Sequence, residues 1–442
     1  MENQNSFFQS VFQSATAKVS MVGILTLVLL IPLSFVQNLI AERAERKKEV
    51  ITEITSKWGE SVLLYGPIIK VPYLVHTPIA NTADFITETN YAYFFPDELD
   101  SKINVKTTEK QRNNYDAVVF SSEMKFKGNF SMPSFTRESI SPENILWDKS
   151  TIIINTSNLK SIKDGMKINF AGKTLEFNTA DSNNSLLSQL QTEPINLFEY
   201  FSDNKATFNF DVSYNGSQQL MLVPIAKTNS ANIKSNWTSP KFSGYFLPNG
   251  DEKKTNANGF EANWKILEFN RPFAQSYFGV LPNLEKYAFG VDFIIPVDEY
   301  QKNERASKYG FLVIGLTFLI FFVIQSISKI SIHIFNYTMI GLALIMFYTL
   351  LISITEHSNF LKAYVIAGIS VVVMISLYSI SLLKNRKFPL LIAFSLTVLY
   401  TFIFVIIQLE NYALLVGSIG LFLILGLIMY FSRKIDWNNL KN

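Results

Sequence analysis

The last third of this chain restricts its possible folds more than any other part. Between Gly310 and Ser432 only seven residues are charged: Lys329, Glu356, Lys362, Lys384, Arg386, Lys387 and Glu410. Apart from Lys362, near the start of one run, they separate apolar runs at 310–328, 337–354, 361–383, 389–407 and 412–431. Each run is near the ~20 residues that a helix needs to cross a hydrocarbon core of ~30 Å, so five successive membrane spans are predicted. A sixth apolar run, 19–40, stands alone near the N-terminus. It is longer than the apolar part of a usual signal peptide, and Ala41 to Lys48 (AERAERKK) offers no clean cleavage site after it, which predicts a retained anchor.

The predicted fold class is therefore a multi-span α-helical membrane protein, one N-terminal plus five C-terminal helices, carrying a large and mainly antiparallel β domain outside the cytoplasm. Lys and Arg near span ends resist translocation. Lys329, then Lys384, Arg386 and Lys387, then Arg433 and Lys434 mark alternate loops as cytoplasmic, whereas the loops at Glu356-His357 and Glu410 carry acid. That pattern predicts a cytoplasmic 1–18, a first span over 19–40, an extracytoplasmic domain over 41–305 with a helical stalk, a five-helix block over 306–432 and a cytoplasmic 433–442. Arg43, Arg46, Lys47 and Lys48 oppose this orientation locally, but Glu42, Glu45 and Glu49 interleave with them as on a mixed-charge helix. The stalk is predicted to run from about Ile40 to Trp58.

Beyond the stalk the apolar period changes from helical to two. Val118, Phe120, Met124, Phe126 and Phe130 alternate with polar partners, as do Phe208, Phe210, Val212 and Tyr214, and Phe289, Val291, Phe293, Ile295 and Val297. This is the pattern of half-buried strands. Asn215-Gly216 and Ala171-Gly172 predict hairpin turns, Gly66-Pro67 and Pro72 are expected to bracket a short strand over 68–71, and 181–200 reads as loop with a short helix. Aromatic and β-branched enrichment favours a sandwich. There is no cysteine, so the domain must fold on core packing without disulfides. A net charge of +3 gives no support to nucleic-acid binding.

Several short motifs stand in a fixed order along the chain: Gly66-Pro67 with Pro72, Ser235-Asn236-Trp237 with Pro240, Phe242, Gly244, Phe246, Leu247 and Pro248, Glu304-Arg305-Ala306-Ser307-Lys308-Tyr309-Gly310, Gly341-Leu342 with Phe347-Tyr348, Glu356-His357, and Ile435-Asp436-Trp437. Together they resemble the CreD family of bacterial inner-membrane proteins, also described as cell envelope integrity proteins. The resemblance covers nearly the whole chain and is thinnest over 102–204. It implies a bacterial inner-membrane protein tied to a sensor-kinase response, and it supplies no catalytic residues.

Two clusters are candidates for a functional role. Glu304, Arg305 and Lys308 sit where the β domain meets the second span, as a coupling element or as an interfacial anchor with Glu304 paired to a neighbouring cation. Glu356 and His357 form an acid–imidazole pair at a membrane edge, where a proton or metal role competes with simple interfacial placement. With His76 and His333 remote in sequence and no HExxH spacing, the interfacial reading is preferred and no metal is expected. The aromatics of 235–248 read as core packing rather than a peptide- or glycan-binding face. No phosphate loop, nucleophile elbow or dinucleotide turn is present, so no cofactor and no enzymatic activity are expected. The expected partners are the lipid bilayer and an envelope protein or cell-wall component. The expected function is a non-enzymatic contribution to envelope integrity or stress response through the β domain. Transport of a hydrophobic or lipid-linked solute through the helical block is the alternative.

Overall fold

The computed structural model describes residues 15–79, 84–112, 115–136, 138, 140–180, 187–250, 253–295, 299–328, 332–383, 387–409 and 412–433. Lys329, Lys384, Arg386, Glu410, Lys434 and Ile435-Asp436-Trp437, on which part of the topology and family reading rests, lie outside them. The chain divides into two compact units, Val50–Pro296 and Met1–Glu49 with Val297–Asn442.

In the first unit the described residues form sixteen paired strands, with period-two burial clearest in β3, β4, β9 and β14. They are β1 (Val62–Pro78), β2 (Phe85–Phe94), β3 (Glu98–Arg112), β4 (Tyr115–Ser131), β5 (Thr151–Thr156), β6 (Lys167–Phe170), β7 (Lys173–Ala180), β8 (Ser188–Thr192), β9 (Lys205–Ser217), β10 (Gln219–Leu222), β11 (Thr228–Ser235), β12 (Lys241–Gly244), β13 (Lys254–Asn256), β14 (Gly259–Leu267), β15 (Ser276–Phe278) and β16 (Phe289–Asp292). The spatial order is β12-β16-β10-β1-β5-β8-β7-β6-β9-β4-β3-β11-β14-β13, with β2 against β1 and β15 against β2. All pairs are antiparallel except β1–β10 and β3–β11. The first half of β7 pairs with β6 and its second half with β8, so the sheet passes from one layer to the other along this strand. Rings from the two layers meet in the core: Trp264 of β14 lies 5.4 Å from Phe289 of β16, and Phe242 of β12 lies 5.6 Å from Phe260 of β14. The mainly antiparallel domain is therefore two packed layers around one aromatic core.

Three local expectations are corrected. Asn215-Gly216 is not a hairpin turn. Both residues lie inside β9, opposite Ser121 and Phe120, and β10 joins β1 and β16 instead of folding back on β9. Gly216 is required because a Cβ there would stand 2.4 Å from the Phe120 ring; the bend falls at Gln218, whose φ is +60°. Gly66-Pro67 does not open a short strand but interrupts the register of the 17-residue β1 against β5 between Tyr65 and Ile68, as a β-bulge does. The described part of 181–200 contains strand β8 before its single 3₁₀ turn, Leu197–Tyr200. The Ala171-Gly172 turn forms as expected between β6 and β7, with φ of +49° and +83°.

The N-terminal helix α1 is continuous over Ala15–Trp58, so anchor and stalk are one element, with Val50 onward in the β unit. There Trp58 Nε1 donates to Phe120 O at 3.2 Å, and Arg112 of β3 and Lys57 both engage the Glu53 carboxylate.

In the second unit, residues up to Glu49 join α2 (Glu299–Lys308), α3 (Gly310–Ser328), α4 (Ile334–Thr355), α5 (Phe360–Leu383), α6 (Lys387–Gln408) and α7 (Ala413–Ser432). Among the described residues four helices are long and apolar enough to cross a membrane: α1, α4, α5 and α6. A fifth qualifies when α2 and α3, bent by 42° at their break, are taken together, and the described apolar stretch of α7, Ala413–Leu427, is shorter than a full span. The expected 1+5 arrangement thus resolves into four to five such helices. Small residues set the helix contacts. A Cβ on Gly341 would stand 2.2 Å from Leu29 of α1, and one on Gly310 2.7 Å from Leu33. Glycine lets the α1 leucines seat directly on the α3 and α4 backbones.

Candidate functional site

The two candidate clusters of the sequence occupy one end of the helical unit, where α2, the α4–α5 connection and the upper part of α1 meet. The local sequence explains the arrangement of α2. Its mean hydropathy is low, yet Tyr300, Asn303, Ala306 and Ser307 fall on one face at helical spacing, and that face is buried. Glu304 and Lys308 lie on the opposite, exposed side and pair with each other at 2.8 Å. An i,i+4 surface pair of this kind contributes ~0.3–0.5 kcal/mol. Arg305 is half-buried. Its stretch of helix is held by neighbours that the sequence reading did not select.

Three bonds tie the buried face of α2 to the helical block. The Glu299 carboxylate accepts from the backbone N–H of Phe360 at 2.7 Å, the first residue of α5. A carboxylate at a helix N-terminus satisfies an otherwise orphan donor and complements the helix dipole, together about 1 kcal/mol. Asn359 completes the cap by accepting from Lys362 N at 2.9 Å. The Thr355 hydroxyl, at the end of α4, donates to Leu351 O at 2.6 Å and stands 3.4 Å from Asn303 Oδ1. Gln37 of α1 donates through Nε2 to Ser307 O at 3.0 Å. Asn303 Nδ2 is buried with no hydrogen-bond partner among the described residues.

Glu356 and His357 do not act on each other. Glu356 follows the last turn of α4 and faces Arg43 of α1 at 3.5 Å. His357 is exposed, and its backbone N–H closes on Ile354 O. Lys47 lies over the Tyr300 ring at 5.6 Å and Lys302 over Phe360 at 5.6 Å. The mixed-charge AERAERKK segment thus supplies two cations, Arg43 and Lys47, to the same end of the unit.

The other singled-out residues have structural partners. His76 lies between Thr87 Oγ1 and Asn144 Oδ1, and His333 caps α4 by accepting from Phe335 N. Among the described residues no three His, Cys, Asp or Glu side chains gather as a metal site would require. In the 235–248 stretch, Asn236 clasps Thr107 through its backbone N–H, hydroxyl and carbonyl at 2.8, 2.9 and 3.1 Å, while Phe242 packs on Phe260 and Trp264. Trp237, Phe242 and Phe246 pack against the β core, whereas Tyr245 is 55% exposed.

A profile of the family described as "Inner membrane protein CreD" matches residues 14–438. The chain belongs to the CreD family. Inner membrane protein CreD of Escherichia coli (strain K12) is 27% identical over 417 residues, covering 93% of this chain and 91% of that protein. Among solved structures, native yeast LTA4 hydrolase matches 51% of this chain and 35% of its own at 9% identity, with a TM-score of 0.18, too slight a likeness to inform the fold. Several positions that suggested the CreD family from sequence have a direct physical role: Gly341 receives Leu29, Phe347 packs 4.5 Å from Tyr400, and Asn236 makes the Thr107 clasp. What the sequence reading missed are Glu299, Asn303 and Gln37. Each is a single polar residue whose partner lies far along the chain. The Asn359 cap alone carried a local signal, a good N-cap residue just before an apolar helix.

Proposed function

We propose that this CreD-family protein is a non-enzymatic component of the cell envelope, whose β domain lies outside the cytoplasm and binds an envelope component while the helical block holds it at the membrane. The observation that carries this reading is the collar around α2. The chain leaving the β domain enters a helix bonded to α1, α4 and α5 through Gln37, Thr355 and Phe360. The other end of the β domain is continuous with α1 itself. Both connections therefore converge on one set of helix ends, an arrangement suited to fixing the domain's attitude and to passing a change in it to helix packing. Both termini are cytoplasmic in this reading and α7 is the sixth span, which the segregation of basic residues among the C-terminal loops supports.

Transport of a hydrophobic solute is the second reading. It draws on a groove of about 280 Å³ between α5 and α6, lined by apolar side chains with Tyr364, Thr397, Tyr400 and Thr401. Lipid-like cargo needs no buried charge.

Orientation is tested by Asn258→Cys, an exposed turn position in a chain without cysteine. A membrane-impermeant thiol reagent should label it once the outer barrier is opened; labelling only after the inner membrane is broken would reverse the topology. Binding is tested by photocrosslinking from the β domain in cells. One reproducible adduct is expected, and adducts with lipid alone from the α5–α6 groove would favour transport.

A further inference from the structure

Beside the β4–β9 strand ends, the β unit carries a cleft of about 730 Å³, within the size range of small-ligand sites. Its floor is aromatic. Phe198 is 59% exposed and lies 5.1 Å from the half-buried Trp147, which packs edge-on against buried Phe135 at 5.4 Å. The two rings are inclined by 55°, so Phe198 presents an exposed ring held by its contact with Trp147.

Several of the cleft's hydrogen-bonding side chains have no protein partner among the described residues, although Ser131 is bonded to Asp97 and Ser134 to Thr136. Three of the four described tryptophans donate their indole N–H to a backbone carbonyl: Trp58 to Phe120, Trp237 to Ser239 and Trp264 to Phe246. Trp147, in the cleft, has no acceptor among the described residues. The polar rim, Asp203-Asn204-Lys205, is exposed, and none of its three side chains has a partner among the described residues. Asp203 and Asn204 both have positive φ, +49° and +60°, and Asn204 O accepts from Met132 N at 2.9 Å, which ties the rim to the wall.

A matching ligand has one apolar face for the ring platform and several neutral donors and acceptors around its edge. An aliphatic chain would leave the indole N–H and the rim unmatched, and a simple ion would meet both Asp203 and Lys205. A sugar ring meets every requirement: its C–H face covers Phe198 and Trp147, and its hydroxyls reach the indole and the rim. We propose that this cleft binds a neutral glycan, one or two pyranose rings at a time. The proposal rests on the reading that the β domain binds an envelope component, and it names the chemistry of that component.

The test is calorimetric titration of the full-length protein in lipid nanodiscs with the β-1,4-linked tetramer of N-acetylglucosamine, and in parallel with cellotetraose. Saturable binding of at least one is expected. Phe198→Ala should weaken it by about tenfold, and Trp147→Phe, which keeps a ring but removes the N–H, by about three- to tenfold. Unchanged thermal unfolding of both variants shows that the fold is intact. No saturation up to about 10 mM, or binding indifferent to both variants, overturns the proposal. So does a leucine-rich peptide that saturates the cleft where neither sugar does. If the sugars fail while crosslinking from the β domain still captures one adduct, the glycan assignment falls and the envelope-binding reading stands; if both fail, both fall.

Discussion

The two units bury the same kinds of side chain against opposite surroundings. In the β unit the apolar residues alternate inward, and the outward positions are occupied by cross-strand polar pairs such as Lys127–Asp100, Lys234–Glu261 and Lys167–Glu176. In the helical unit the outward positions are themselves apolar: Leu414 is 87% exposed, Phe422 75% and Leu390 72%. Such a surface is stable only in lipid, where apolar exposure carries no hydration penalty. The cohesive forces differ accordingly. Hydrophobic burial drives the β core, whereas the helices rely on close fit, as where Gly341 and Gly310 receive leucines of α1. One chain therefore carries two independent solutions to packing, joined through α1 and α2.

The sharpest way to break this contrast is to damage one core and watch the other. Phe120→Ala removes a ring that is 1% exposed and lies 5.1 Å from Phe293; it should cost the β unit about 3–5 kcal/mol. Urea unfolding of an exported fragment 50–296 measures this, and helical content of the full-length variant in detergent should be retained. The reciprocal change, Gly341→Leu, should cost the helical unit about 1–3 kcal/mol by overpacking and leave the β unit's melting point unchanged. A melting point that falls in both units with either substitution would show that they are one cooperative body.

The boundary itself is sharpened by trimming. A fragment starting at residue 60 loses Trp58 with its bond to Phe120 O, and the Glu53–Arg112 pair. It should be about 2 kcal/mol less stable than the fragment starting at residue 50. In the collar, Glu299→Ala should lower the thermal stability of the helical unit by about 1 kcal/mol without moving that of the β unit.

Acid should affect the β unit first. Hydrogen bonds from Lys57, then Arg112, hold the Glu53 carboxyl down from 4.5 to about 2. Because the folded value lies below the unfolded one, this pairing stabilises the fold above pH ~4.5 and its contribution disappears as the pH falls toward 2. Asp97 acts in the same direction: burial raises its pKa, but bonds from Lys227 and Ser131 outweigh that and leave it lowered. The melting temperature of fragment 50–296 should drop between pH 5 and pH 2.5, with a shallower drop for Glu53→Gln. The smallest effects are expected at the membrane edge. Glu356→Gln loses one partly exposed pair with Arg43, worth ~0–1 kcal/mol, and His357→Gln should be silent in protein level and envelope phenotype. Loss of phenotype at normal abundance in either would restore a proton or metal role.

Local pattern alone determined a good deal about this protein. Apolar runs of near-span length marked the helical block, period two marked strands β4, β9 and β16, and Ala171-Gly172 marked its hairpin, because each feature depends on residues within a few positions of one another. The same local logic misplaced Asn215-Gly216, where glycine answers to the Phe120 ring of a neighbouring strand and not to a turn. Tertiary structure decided the rest. That Glu356 faces Arg43 across more than 300 residues, that Glu299 caps α5 and that Trp147 lies beside Phe198 follow from which surfaces come together. A single polar side chain carries no period, and its partner is chosen only when the chain closes on itself.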